Sequence, residues 1–243
     1  MRENYFDGLR AEFYDADSSE MFEPAVIEST VRFLADLAGG GRALELAIGT
    51  GRIGLPLHLR GVPVSGIDLS PAMVAQLRAK PGAQDIDVEI GDFTSTTIDG
   101  PFRLAYLVYN TIQNVNTQDD QVECFCNVAR HLETGGCFVI EVEIPQLRRL
   151  PPGETRRVFN ASSSRLGIDE LDVATQHGIS HHYWIADGQR AVFSMPYRYV
   201  WPSELDLMAR IAGMRLRERW GDWNREPFTS NSTKHVSVWE KPA

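Results

Sequence analysis

Cysteine is scarce: 243 residues carry three, at 124, 126 and 137. The count is odd and the spacing matches no metal-ligand pattern, so a disulfide scaffold is not expected, no metal site is expected, and the thiols read as buried structural side chains. Long apolar runs are missing as well. None approaches the ~20 residues of a membrane span, and Met1 to Arg10 is too polar for a secretory signal. A membrane partner is therefore not expected, and the cytoplasm is the expected location. Positive charge is in deficit, with 24 Lys and Arg against 33 Asp and Glu and a net charge of -9. Such a field repels phosphate backbones and anionic lipid, so nucleic acid is not an expected partner. The local exception, Arg148, Arg149, Arg156 and Arg157 around Pro151-Pro152-Gly153, reads as a solvated loop. Repeats and low-complexity segments are absent too.

What is present is organised around one stretch, Arg42-Ala43-Leu44-Glu45-Leu46-Ala47-Ile48-Gly49-Thr50-Gly51-Arg52-Ile53-Gly54. A short apolar strand carrying Glu45 passes into a glycine loop, and apolar residues at 53, 57 and 59 then take helical spacing. Glycines at 49 and 51 remove Cβ atoms where a ligand must approach the backbone, and the free N–H groups of the first helical turn face the same spot. A flat, polar or anionic group is expected there.

Before this stretch, apolar residues at 6, 9, 13 and 14 suit a short amphipathic helix within Tyr5 to Asp17. It either folds over a ligand site or patches the core edge. Pro24 to Ala38 is a helix stopped by Gly39-Gly40-Gly41. After the loop, Val62 to Leu69 reads as a strand ending in Asp68, and Ser70-Pro71 caps a helix through Lys80. An acid about 20 residues beyond the glycine loop, at a strand's carboxyl end, can accept both hydroxyls of a ribose; its plainer reading is a cap on the next helix. Strands follow at Ile86 to Ile90, ahead of Gly91-Asp92-Phe93, and at Phe102 to Tyr109. A helix from about Asp119 to Leu132 is broken by Thr134-Gly135-Gly136 before a strand over Cys137 to Ile144. From Pro145 the pattern turns to loop chemistry, then to β-rich runs at Val173 to Ile185 and Ala191 to Trp201 joined at Asp187-Gly188, a hairpin signal. A helix from Pro202 and strands at Met214 to Trp220 and His235 to Trp239 close the chain.

The chain resembles the class I S-adenosylmethionine-dependent methyltransferases from about Tyr5 to Ile144 and again at the end. The residues that carry the likeness are Glu45-Leu46-Ala47-Ile48-Gly49-Thr50-Gly51, Gly66-Ile67-Asp68-Leu69-Ser70-Pro71, Gly91-Asp92-Phe93 and Thr134-Gly135-Gly136. Within the family it is similar to the small-molecule branch, including amino-sugar N-methyltransferases of natural-product pathways. The resemblance implies an α/β fold: a doubly wound Rossmann-like seven-stranded, mostly parallel sheet with an antiparallel last strand, plus an inserted antiparallel β segment. Residues 1–145 and 202–243 would form the cofactor domain, and 146–201 an insertion that extends the sheet edge or roofs the site. S-adenosyl-L-methionine is the implied cofactor. Ala47, Gly49 and Gly51 would cradle its methionine, with Glu45 orienting the loop; Asp68 would bind the ribose, Leu69 line the adenine, Asp92 and Phe93 bond its edge, and Tyr109 face it. Tyr14 would close over it. Ala47 replaces the family's usual first glycine and is expected to need only an ordinary φ.

Two alternatives stay open at this level. Gly49-Thr50-Gly51-Arg52-Ile53-Gly54 also satisfies the G-x-G-x-x-G fingerprint of an NAD(P)-dependent oxidoreductase. A non-catalytic S-adenosylmethionine-binding protein is the other. For methyl transfer to N or O of a small-molecule acceptor, the named catalytic candidates are Glu141, His181 and Tyr14, drawn from a wider set with His182, Glu143, Asn114, Tyr197 and Trp201. His181 and His182 point to opposite faces of a strand, so at most one sees the pocket. A homodimer is compatible with the sequence.

Overall fold

The computed structural model describes residues 4–17, 19–186 and 189–242. Helix α1 (Leu9–Asp17) precedes α2 (Pro24–Ala38), which opens on its proline and ends where Gly39, at φ 54°, returns its N–H to Ala35. Strand β1 (Ala43–Leu46), α3 (Gly54–Leu59) and β2 (Val64–Asp68) follow. Helix α4 (Pro71–Arg78) is capped by the Ser70 hydroxyl, which accepts from Met73 N at 3.2 Å. After β3 (Asp87–Ile90) and β4 (Phe102–Leu107), Thr117 caps α5 (Gln118–His131) by accepting from Asp120 N at 3.1 Å. Such caps satisfy donors that a helix start leaves open.

Strand β5 runs over Leu132–Glu143, starting earlier than the expected Cys137. The glycines do not break it, because Gly135 N donates to Lys241 O at 2.8 Å and Lys241 N to Gly136 O at 2.9 Å. Beyond it lie β6 (Arg156–Ala161), β7 (Arg165–Asp172), β8 (His177–Ala186) and β9 (Gln189–Arg198). Helix α6 (Pro202–Ile211), β10 (Arg215–Trp220) and β11 (Lys234–Glu240) complete the chain.

Seven strands form one sheet in the order β10-β11-β5-β4-β1-β2-β3. β11 runs antiparallel to both neighbours, and β5, β4, β1, β2 and β3 pair in parallel. This is the doubly wound sheet with an antiparallel last strand. One core layer joins Phe33 and Leu34 of α2 and Leu57 of α3 to Tyr106 and Val139. The other joins Phe125 of α5 and Leu205 of α6 to Phe138 and Trp239. Phe125 meets Phe138 and Trp239 edge-on at 5.0 and 5.3 Å; emptying that corner by truncating Phe125 would cost about 3–5 kcal/mol.

The segment after β5 holds a second, four-stranded antiparallel sheet, β6-β7-β8-β9, where two β-rich runs were expected. The pairing of Ala186 with Gln189 marks the hairpin, and its turn residues Asp187 and Gly188 lie outside the described residues. β6 and β7 were hidden because each face mixes charged with apolar residues and shows no clean alternation. Arg156 and Arg157, expected in a solvated loop, are strand residues paired with Glu170 and Asp169 at 3.1 and 2.9 Å. The serine run at 162–164 is the turn between the two strands.

Candidate functional site

The carboxyl ends of β1, β2 and β4 open onto a cavity of about 360 Å³. Its floor is the loop after β1. Ile48 N donates to Ile67 O at 3.2 Å and Gly51 N closes a turn on Ile48 O at 2.9 Å. Ala47 sits at φ 53° and Gly49 at φ 56°, which corrects the expectation of an ordinary φ at Ala47: the chain must reverse there whether or not a Cβ is present. Below the loop, buried Glu45 accepts from the Tyr106 hydroxyl at 3.2 Å and from the Gly54 backbone. A Cβ at Gly54 would collide with that carboxylate, so the third glycine of the fingerprint serves Glu45. Burial, offset in part by Arg52, raises the Glu45 carboxyl to about 8.

Asp68, at the end of β2, accepts from Gly49 N at 2.7 Å and from Ser70 N at 2.8 Å. This acid braces the loop and the start of α4, and it also lines the cavity. Burial raises its carboxyl, and those two backbone bonds pull against it. Asp92 lines the cavity beside Leu69 and Phe93, its Oδ1 accepting from Thr94 N at 2.9 Å. Gly51 is off the wall; its missing Cβ makes room for the Leu77 side chain.

The N-terminal segment covers the loop. Ser70 donates to Phe6 O at 2.6 Å, Thr50 to Asp15 at 2.6 Å, and Lys80 to Asp15 and Thr50 O at 2.6 and 2.8 Å. These bonds bring Tyr5, Phe6 and Tyr14 onto the cavity wall. Burial first, then the neighbouring Tyr109, pushes the Tyr14 phenol up to about 12.

Tyr109, two residues past β4, stands on the wall under the Arg52 guanidinium, which lies 5.4 Å from its ring centroid. Asn114 and Asn116 line the cavity beyond it. Asn116 O lies 2.7 Å from His177 Nε2, which ties this segment to the second sheet. Asn116, Arg52 and Met73 are wall residues that sequence reasoning missed; no pattern marked them. Among the described residues, Arg52 is the one cation on this wall, and neither histidine nor lysine lies on it.

Two of the catalytic candidates lie off this wall. Glu141 is buried behind the wall, with Oε2 accepting from Tyr109 N at 3.2 Å and Oε1 from Lys234 at 2.8 Å. His181 also lies off the wall, with Nδ1 at 2.8 Å from Ser194 Oγ and Nε2 at 4.0 Å from Glu170. Strand alternation turns His182 the other way, among Phe159, Trp184 and Phe193. Burial, helped by Arg165 and Arg10, lowers the His182 imidazole to about 4, and both its nitrogens have partners in Arg165 and Ser180 at 3.1 Å. Tyr197 and Trp201 are off the wall as well.

A family model described as "Methyltransferase domain" matches residues 43–136, from β1 to the glycines of β5. The structure is similar to that of the CcbJ methyltransferase from Streptomyces caelestis, with a TM-score of 0.86 and 31% identity over 96% of each chain. The chain is an S-adenosylmethionine-dependent methyltransferase. Over 97% of both chains this methyltransferase is also 26% identical to the cypemycin N-terminal methyltransferase of a Streptomyces species. Its fold is shared with S-adenosylmethionine-bound CalS10, an amino pentose methyltransferase from Micromonospora echinaspora (TM-score 0.72, 17% identity, 99% of this chain and 100% of that one). The family assignment removes the oxidoreductase alternative, consistent with Gly54 serving Glu45. No helix among the described residues is long and apolar enough to cross a membrane, and no described cluster of His, Cys, Asp and Glu could hold a metal ion.

Proposed function

We propose that this methyltransferase alkylates the nitrogen of a small-molecule amine. One observation carries the reading: among the described residues, the cavity wall offers no group able to take a hydroxyl proton near neutral pH. Histidine and lysine are missing from it, Tyr14 is raised to about 12, buried Glu45 is raised to about 8 and keeps its proton, and Asp68 and Asp92 would be taken up by the cofactor. A hydroxyl nucleophile needs a general base; a neutral amine brings its own lone pair. The likeness to a methyltransferase named for the N-terminus of its substrate, the end of a peptide that carries an amine, supports the choice.

The residues present fit the cofactor. Asp68 would accept from the ribose hydroxyls, Leu69 and Phe93 would flank the adenine with Asp92 at its edge, and the Ala47–Gly49 backbone would meet the methionine end. When bound, the cofactor supplies an activated sulfonium methyl group. The chain's own contribution is to orient and to exclude water: Tyr14 and Phe6 cover the site, and Tyr109, Asn114 and Asn116 bound the space where an acceptor nitrogen would stand in line about 3 Å from that methyl. The second sheet would roof this end through the His177–Asn116 contact and the edge-on approach of Phe193 to Tyr5 at 6.3 Å. The net charge of -9 supports a small molecule over nucleic acid.

The test is radiolabelled methyl transfer to a panel of sugars and cyclic compounds, each offered as an amine and as the matching alcohol. Product is expected on nitrogen alone, with a rate that rises with pH as the amine loses its proton. An O-methyl product would overturn the reading.

A further inference from the structure

We propose that Glu141 and Lys234 form a clamp that holds Tyr109 in the backbone conformation its place on the cavity wall requires. Glu141 is then a positioning residue, and the inference deepens the reading of the site because it rests on Tyr109 meeting the cofactor.

The turn just beyond β4 holds two successive non-glycine residues at positive φ, Tyr109 at 56° and Asn110 at 62°. L-residues in this region are disfavoured by roughly five- to thirtyfold each. Asparagine tolerates it, and Asn110 is fixed further: its N–H donates to Glu141 O at 3.2 Å and its Oδ1 accepts from Glu143 N at 2.7 Å. Tyrosine has no such tolerance, so the neighbourhood must hold Tyr109 there. Its backbone N–H donates to Glu141 Oε2 at 3.2 Å. The Glu141 side chain is 7% exposed, and a buried acid left without a partner is costly. Lys234 Nζ, 2.8 Å from Oε1, supplies the partner.

Two of the residues are on adjacent strands and the third follows the strand beside them. Glu141 is on β5, between β4, which Tyr109 follows by two residues, and β11 with Lys234 at its start. The antiparallel strand that comes last in the chain thereby reaches the cavity through a relay of two bonds. Releasing Tyr109 N–H from Glu141 would let residue 109 relax out of the left-handed region and draw its ring off the wall. Apparent affinity for the cofactor would fall by the fraction of molecules still holding the competent conformer.

The experiment is a double-mutant cycle read by titration calorimetry with S-adenosylhomocysteine, thermal melts checking that each variant folds. Glu141→Ala is expected to raise Kd about tenfold in the otherwise native protein. In a Tyr109→Gly background, where glycine takes the conformation without help, adding Glu141→Ala should change Kd by less than about twofold. Glu141→Gln keeps an oxygen for the Tyr109 N–H and should restore Kd to within about threefold of native. If Glu141→Ala does not fold, Lys234→Met at the more exposed end of the pair serves the same cycle, with about a threefold rise expected in the native background and none beside Tyr109→Gly. Equal increments in both backgrounds, or no increment in the native one, would overturn the clamp. Native protein that failed to bind S-adenosylhomocysteine would instead overturn the cofactor reading beneath it.

Discussion

Ala47→Gly is expected to stabilise this protein, against the usual direction for putting glycine into a folded chain. Ala47 follows β1 at φ 53°, where an L-residue costs about 1–2 kcal/mol relative to the right-handed region. Glycine removes that cost and adds about 0.4–1 kcal/mol of unfolded-chain entropy. The balance is about 0.5–1 kcal/mol in favour of the variant, which for a chain of this length is a rise in Tm of about 1–4 °C. Scanning calorimetry reads it. Ala43→Gly is the control: the same atoms are removed from a fully buried position in β1, where the backbone is extended and glycine brings only its entropy cost and a small void. Tm should fall there. The affinity of Ala47→Gly for S-adenosylhomocysteine should be at least that of the native protein, because the loop keeps its turn and its bond from Gly49 to Asp68. A Tm for Ala47→Gly that is unchanged or lower would refute the strain argument, and would mean that Ala47 contacts outweigh its backbone cost.

Stability should fall as pH rises from 6.5 to 8, and Glu45→Gln should abolish most of that slope. The folded protein holds the Glu45 proton up to about 8, against an ordinary 4.5, so folding takes up a proton in between and loses about 2 kcal/mol over this window. His182 and His235, lowered to about 4 and about 3, act in the other direction and only as pH drops below 6.5. Parallel melting curves of Glu45→Gln and native protein at the two pH values would sink the assignment of this proton to Glu45. Asp68→Ala removes the acceptor of the Gly49 and Ser70 N–H bonds and the group assigned to the ribose; its Kd for S-adenosylhomocysteine should rise at least tenfold, by roughly the value of one charge-assisted bond. A Kd within about twofold of native would detach Asp68 from the cofactor.

The first half of the sheet was legible because its signals are local. A buried parallel strand shows as an apolar run, a glycine loop breaks it, and Ser70-Pro71 marks a helix start by its own side-chain chemistry. β6 and β7 escaped because cross-strand ion pairs such as Arg157–Asp169 replace apolar alternation, and such pairs are visible only once register is known. The same limit governed the site. Alternation separates His181 from His182 but does not say which face of β8 meets the N-terminal segment. Glu141 carries the residue type of a general base, yet its neighbours Tyr109 and Lys234 lie 32 and 93 positions away in sequence. The conformation of Ala47 was missed for another reason: the loop is dictated by its closure onto β2 and Asp68, and alanine accepts a geometry that its own preference would refuse.

The most direct test of the central claim is titration calorimetry of the native protein with S-adenosylhomocysteine, run beside NADH and NADPH. One site with micromolar affinity for S-adenosylhomocysteine is expected, with no heat from either dinucleotide. Binding of a nicotinamide dinucleotide in its place would contradict the account and make the glycine loop a pyrophosphate cradle.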